Sequence, residues 1–423
     1  MILFELWRET VHKFPNDLAL LEVATGRTWT FAQLEAAAAA MQPSSRSEIV
    51  FPQSQSAAFI TTLLIGWRTG LPVCPIEPNQ PTPDFQARPP DGAHLKITSA
   101  TAGASRLVLF KAEQLIADAE NIVTTMELRR EWPNLGAISL AHSYGFSNLV
   151  LPLLIHGIPL ILLDSPMPAR VLEAARLVPH LTIAGVPALW RTWHETNAIP
   201  KNTRLAISAG AALPLALEQA VFQKHRLKIH NFYGASECGG IAYDASAAPR
   251  ANAELAGAPL RNVRLSIHSD GCLKVQSQAV GQSYFPSPDP RLSGGIFQTS
   301  DLAEIENGTV FLRGRATDVI HVAGRKISPE PIEAALLAHP AVRECVVFGV
   351  PSEGGVRGET VVACVSLNEE MSATALRESL SSVLPAWQVP REWWFVDGMH
   401  PNSRGKISRS EWRRRYLARD PSL

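Results

Sequence analysis

The 423-residue sequence predicts an α/β protein, with a large N-terminal part built of α/β subdomains plus a β-rich subdomain and a small α+β part after it. Three observations predict this. Between Leu95 and Ile229, short β-rich runs alternate with helix-like stretches, which implies a sheet with helices on both faces. From Ala256 to Leu312, short strands and turns follow one another. After Arg315 a mixed pattern restarts and runs for roughly a hundred residues, enough for a separate unit.

Each element has a local reason. Leu3, Leu6, Trp7 and Val11 share one helical face, predicting a helix over 3–14. Ala19 to Glu22 and Thr28 to Thr30 read as a hairpin turning at Thr25-Gly26, and 31–41 as a helix. An apolar helix over 59–67 stops at Gly70, and a strand is expected over 72–75. Seven prolines between Pro72 and Pro90 then predict an extended loop, because proline fixes φ and lacks a backbone donor. Strands are expected at 137–140, 159–163, 182–184 and 204–208, with helices over 171–177 and 215–225. In the last part, a helix over 329–338 precedes strands at 344–349 and 360–367, a helix over 374–384 and a strand over 392–396.

Composition narrows the function classes. Apolar residues make up 46% of the chain, which supports a large core and argues against global disorder. The formal net charge is zero, so a protein built mainly to bind nucleic acid is not expected, and an anionic ligand would need a local basic site. The five cysteines are dispersed and form no CxxC pair, which fits reduced thiols in the cytoplasm. The greasiest stretch, 149–163, holds His156 and two prolines and falls short of the ~20 residues a spanning helix needs. Acidic residues near the N-terminus argue against a signal peptide.

Four polar segments stand out against the apolar background, because a buried charge must be paired or neutralised. They are Asn231-Phe232-Tyr233-Gly234-Ala235-Ser236-Glu237, Thr299-Ser300-Asp301, the run from Arg313 to Glu333, and Pro401-Asn402-Ser403-Arg404-Gly405-Lys406. Taken singly they are bland: Asp301 reads as a turn residue, and Lys406 as part of a solvated basic tail. In this order they resemble the adenylate-forming (AMP-binding) superfamily of acyl-CoA synthetases, adenylation domains and luciferases, over nearly the whole chain.

The resemblance implies residue roles. Lys406, 91 residues beyond Arg315, matches the catalytic lysine of adenylation. Asp301 and Arg315 match the groups that take the ribose hydroxyls, and an ionised aspartate is a pure acceptor suited to them. Glu237 matches the magnesium ligand, Ser236 a phosphate contact, and Asn231 to Gly234 the adenine face. Gly210, Ala211 and Ala212 match the adenine loop. His142, Tyr144, Gly185 and Val186 match the border of an acyl pocket, Gly324 the loop that closes over CoA, and Lys326 a phosphate contact.

The phosphate loop departs from the family's Thr-Ser-Gly-Thr-Thr-Gly-x-Pro-Lys. Thr98, Ser99, Thr101 and Gly103 survive, and Arg106 stands for the lysine. Serine replaces glycine at Ser300, and Thr317 occupies the usual hinge position beside a retained Asp318. The resemblance implies an AMP-binding domain over 1–314, a mobile lid over 315–423, and use of ATP and Mg2+. The activity it implies joins an apolar fatty or aromatic acid to CoA. Loading of an acyl-carrier protein, or nucleotide binding by a catalytically impaired relative, are the alternatives.

Overall fold

A computed structural model describes residues 2–42, 48–78, 80–83, 85–98, 106–322, 325–352, 358–399 and 407–419. Twenty-two strands are assigned among them: β1 (Leu18–Glu22), β2 (Arg27–Thr30), β3 (His94–Ile97), β4 (Leu107–Phe110), β5 (Asn134–Gly136), β6 (Leu160–Leu162), β7 (Leu181–Gly185), β8 (Thr203–Ser208), β9 (Ile229–Ala235), β10 (Gly239–Tyr243), β11 (Leu255–Pro259), β12 (Arg264–Ile267), β13 (Cys272–Gln276), β14 (Ser283–Phe285), β15 (Leu292–Ser293), β16 (Ile296–Glu306), β17 (Thr309–Arg315), β18 (Ile320–Val322), β19 (Arg325–Ile327), β20 (Val342–Pro351), β21 (Glu359–Leu367) and β22 (Glu392–Phe395).

One path of hydrogen-bonded strands runs β12-β13-β16-β17-β11-β10-β9-β8-β7-β5-β6-β1-β2, with β15 paired to β16. From β9 to β1 the neighbours are parallel. From β9 outward through β10 to β12 they are antiparallel. The sequence pattern therefore marks a real change of sheet type at β9.

The parallel half is buried on both faces, as such strands require. Leu160 and Leu162 point into one apolar cluster, and Ile161 between them points into the other. Helices Ile2–Lys13, Ala57–Thr69 and Ala112–Thr125 supply the first cluster, and Pro187–Glu195 and Leu215–His225 the second. Trp190 and Trp193 are fully buried in the second cluster and meet edge to face at 5.2 Å. Aromatic pairs of this kind contribute about 0.5–1.5 kcal/mol beyond their buried area.

Two expected strands are corrected. Residues 72–75 form no strand. Val73 alone bridges Val50 and His94, since Pro72 and Pro75 bring no N–H to a ladder. The strand expected at 137–140 lies at Asn134–Gly136 instead, and the chain leaves the sheet after Gly136. That exit carries the Ser139 carbonyl under Gly145, where a Cβ would sit 1.9 Å from it, so only glycine fits.

Beyond the large sheet, β18 and β19 form a hairpin, and β20, β21 and β22 a three-stranded sheet. Helices Pro329–Leu337, Ala373–Ser381 and Arg409–Ala418 cover it. All five cysteines are buried and unbridged. Among the described residues, no helix is long and apolar enough to cross a membrane.

Candidate functional site

A cavity of about 590 Å3 opens where β9, β8, β7, β5 and β6 end. The carboxyl edge of parallel strands is where open α/β sheets bind ligands, because the loops there are free to diverge. Its walls come from Phe232 to Glu237 at the end of β9 and just beyond it, Gly210 after β8, Val186 after β7, Ser139 and His142 after β5, and Asp164 after β6.

At the β9 end three polar groups converge. Asp301 on β16 lies opposite Arg315 on β17, and Arg315 Nε donates to its Oδ1 at 2.9 Å. The Tyr233 hydroxyl donates to Asp301 Oδ2 at 2.5 Å. Burial and the neighbouring Asp301 hold the Tyr233 phenol well above its ordinary value, so it stays a donor. A carboxylate fixed from two sides in a cavity wall keeps lone pairs for a ligand's hydroxyls.

Glu237 follows β9 and accepts from the Tyr284 hydroxyl at 3.0 Å. Burial raises its pKa, so a cation would be welcome beside it. No group of three or more His, Cys, Asp or Glu among the described residues could hold a metal by itself. One carboxylate in a nucleotide-sized cavity nonetheless fits magnesium, which is commonly bound by one or two carboxylates together with substrate phosphates.

At the β5 end, His142 Nε2 lies 2.9 Å from Glu77 Oε1 but is not aligned with it as a hydrogen bond. Ser139 Oγ donates to the same carboxylate. The Tyr144 hydroxyl reaches the Gly185 and Ile207 carbonyls at 3.4 Å each, and its ring packs 5.9 Å from Phe232. Residues 146–150 form a π-helical turn, a feature often found at functional sites.

Thr98, His142, Tyr144, Val186, Gly210, Phe232, Tyr233, Gly234, Ser236, Glu237, Asp301 and Arg315 all line the cavity, as a single cluster drawn from distant segments. Gly185 stands behind the wall as the acceptor for Tyr144. Asn231 is turned to the Leu255 carbonyl at 3.2 Å and serves as a tie between strands. Ala211 and Ala212 are exposed in the turn after β8, and Lys326 is exposed on β19. None of these last four is part of the wall.

Arg106 departs most from expectation. Its guanidinium pairs with Asp289 at 3.1 Å and stacks 3.4 Å from the Tyr284 ring centre. Its backbone pairs with that of Thr98, whose N donates to Arg106 O at 2.8 Å. Ser99, Thr101, Gly103, Gly324 and Lys406 lie outside the described residues.

Sequence reasoning missed Gln55, Glu77, Ser139, Asn148 and Tyr284. It also missed a buried group beneath the wall. Lys96 Nζ lies 3.5 Å from Asp118 Oδ2 and 3.1 Å from Ser147 Oγ, and Asp118 Oδ1 accepts from Gly240 N at 3.1 Å. The lysine inside Leu95-Lys96-Ile97 was its signal, since a lone cation in an apolar run needs a buried partner.

Comparison with known proteins agrees with this geometry. Residues 53–288 match the family model described as AMP-binding enzyme, and 331–406 match the AMP-binding enzyme C-terminal domain. The chain belongs to the AMP-binding enzyme family, the adenylate-forming superfamily of acyl-CoA synthetase-like enzymes. An uncharacterised acyl–CoA ligase of Bacillus subtilis is 30% identical over 236 residues, covering 53% of this chain and 48% of the relative, about half its length. A probable 2-succinylbenzoate–CoA ligase of Mycobacterium tuberculosis is 28% identical over 343 residues, covering 77% of this chain and 85% of that one. Among solved structures, the o-succinylbenzoate CoA synthetase of Bacillus subtilis bound to its acyl-adenylate superposes with a TM-score of 0.82. It is 20% identical, and the match covers 96% of this chain and 97% of that one. The same synthetase has been solved with ATP and magnesium ion.

Proposed function

We propose that this protein is an ATP-dependent acid–CoA ligase that activates an apolar carboxylic acid, fatty or aromatic, as its adenylate before transfer to the thiol of CoA. The observation that carries this reading is Asp301, held between Tyr233 and Arg315 in the same cavity as Glu237. Asp301 would accept the ribose hydroxyls, and Phe232 and Gly234 would border the adenine. Glu237 would hold magnesium, which offsets phosphate charge when bound.

The acid would lie between Tyr144 and Val186, with its carboxylate directed at the α-phosphorus. Attack there forms the acyl–phosphate bond and expels pyrophosphate. Lys406 would offset the charge that develops, and it would arrive on a unit pivoting near Gly314 and Arg315, with the Gly324 loop covering the site for thioester formation. Preorganised positive charge of this kind is the main catalytic contribution such a reaction needs. An acyl-carrier protein is the alternative acceptor, tested by offering it in place of CoA.

The expected outcome for Lys406→Ala is loss of acid-dependent pyrophosphate release with an unchanged circular dichroism spectrum. Normal adenylation by that variant would overturn the assignment. The commitment of Arg106 to Asp289 and Tyr284 favours a second reading, nucleotide binding without turnover. Calorimetry that detects ATP or AMP binding, with no pyrophosphate released for any acid, would select it.

A further inference from the structure

We propose that Tyr284 and Arg106 are positioning residues for Glu237, clamping its carboxylate in the cavity wall, and that Arg106 serves in this way and not as a phosphate contact. Glu237 as the magnesium carboxylate is taken from the ligase reading, on which the proposal rests. Glu237 lines the cavity, whereas Tyr284 and Arg106 stand behind it and form no part of the wall.

The clamp has a backbone half and a side-chain half. Gly281, two residues ahead of β14, donates its N–H to the Glu237 carbonyl at 2.8 Å. A Cβ on Gly281 would lie 2.6 Å from Val108 Cγ1 and 3.1 Å from that carbonyl oxygen, so the close approach needs glycine. The Tyr284 hydroxyl then donates to Glu237 Oε1 at 3.0 Å. Among the described residues, Tyr284 is the one side chain bonded to this carboxylate. The direction of the carboxylate therefore depends on where the phenol is held.

Arg106 holds it. β14 pairs with β4, with Tyr284 opposite Val108, and Arg106 immediately precedes β4. The Arg106 guanidinium lies 3.4 Å from the ring centre and pairs with Asp289 Oδ2 at 3.1 Å. Asp289 is fixed in turn by Arg291, whose Nη2 reaches Oδ2 at 3.0 Å and whose backbone N–H donates to Oδ1 at 3.0 Å. The ring is thus pinned on one face by a cation that is itself anchored. An arginine can stack its plane on the ring and still present N–H groups at its edge, whereas a lysine offers a point charge. The Arg106 N–H donates to Thr98 Oγ1 at 3.0 Å, and Thr98 lines the cavity. This segment therefore reaches the cavity through Thr98, while the side chain of Arg106 is committed to Tyr284 and Asp289.

The test uses the full chain and reads binding by calorimetry, with ATP titrated over a range of magnesium concentrations and AMP titrated without metal. Groups that orient a metal ligand from behind set metal affinity over a ten- to hundredfold range. Tyr284→Phe, which removes only the hydroxyl, and Arg106→Lys are each expected to raise the magnesium concentration needed for half-maximal ATP binding by roughly tenfold or more. AMP affinity is expected to stay as in the native protein. The double variant is expected to show no larger shift than Tyr284→Phe alone, because Arg106 acts through the tyrosine. A phosphate contact would be preserved by lysine, so native magnesium dependence in Arg106→Lys would overturn the proposal. An equal loss of AMP and ATP binding would also overturn it, since the whole cavity would then be disturbed. Glu237→Gln separates the clamp from the ligase reading. Magnesium dependence lost in Glu237→Gln but native in Tyr284→Phe would overturn the clamp alone, whereas native dependence in Glu237→Gln would overturn the metal assignment and the clamp with it.

Discussion

Lys96 shows how a single side chain can organise a site that it does not line. It sits on the strand that leads into the phosphate loop, and burial lowers its pKa against the opposing pull of Asp118. Asp118 in turn reaches Ser147 in the π-helical turn at 2.5 Å and Gly240 just past Glu237. Gly239 adopts φ +69°, and a Cβ there would lie 1.9 Å from Asp118 Oδ1, so the carboxylate and the turn are fitted to each other. Removing one member of such a pair leaves an uncompensated buried charge. Asp118→Ala is therefore expected to lose about 3–5 kcal/mol of stability by denaturant unfolding. A loss below ~1 kcal/mol would mean that the pair is not a structural tie. Side chains were legible in the sequence where polar groups lay in contiguous runs, as from Tyr233 to Glu237. Glu77 and Tyr284 were not, because their partners, Ser139 and Glu237, arrive from elsewhere in the chain. Arg106 misled because its charge suits a phosphate equally well as it suits Asp289.

At the scale of elements, the helix Pro329–Leu337 begins against the end of β17. Glu330 in its first turn faces Gly314, and Arg409 at the start of the last helix gathers Glu330, Glu333 and Asp318. A helix N-terminus favours a carboxylate, yet burial outweighs that here and pushes Glu330 up to about 7, with Glu333 adding repulsion against the pull of Arg409. A carboxyl whose folded value is raised contributes stability that is complete below its ordinary 4.5 and is lost as pH rises through about 7. The melting temperature is thus expected to fall between pH 5 and 8 more steeply in the native protein than in Glu330→Gln. Parallel slopes would remove Glu330 as the cause. This cluster links three elements, of which the sequence delimited the helix opened by Pro329; the last helix, capped by Ser408, lies in what read only as a basic tail. Boundaries failed where tertiary contacts decide them. The apolar run 137–140 reads as strand, but the chain must leave the sheet there to meet Gly145.

For the whole molecule, the distribution of apolar contacts matters more than the count of strands. Buried clusters around the large sheet draw on residues from Leu3 to Val310. Those around the three-stranded sheet begin at Ile320 and end at Tyr416, and the two sets share no residue. What joins them includes polar contacts, such as Arg191 Nη1 donating to the Arg343 carbonyl at 3.1 Å. Cooperative unfolding depends on a shared core, and chains whose units have separate cores depart from two-state behaviour. Calorimetry is therefore expected to resolve two transitions. Tyr233, Glu237 and Asp301 all belong to the larger unit, so AMP should stabilise that unit selectively. At a hundred times its dissociation constant the gain would be about 2.7 kcal/mol. The larger transition is expected to move upward with AMP while the smaller one stays in place, and Asp301→Ala should abolish the movement. A single transition, shifted as a whole, would mean that the two cores unfold as one and that the proposed pivot near Gly314 is not a boundary between independent units.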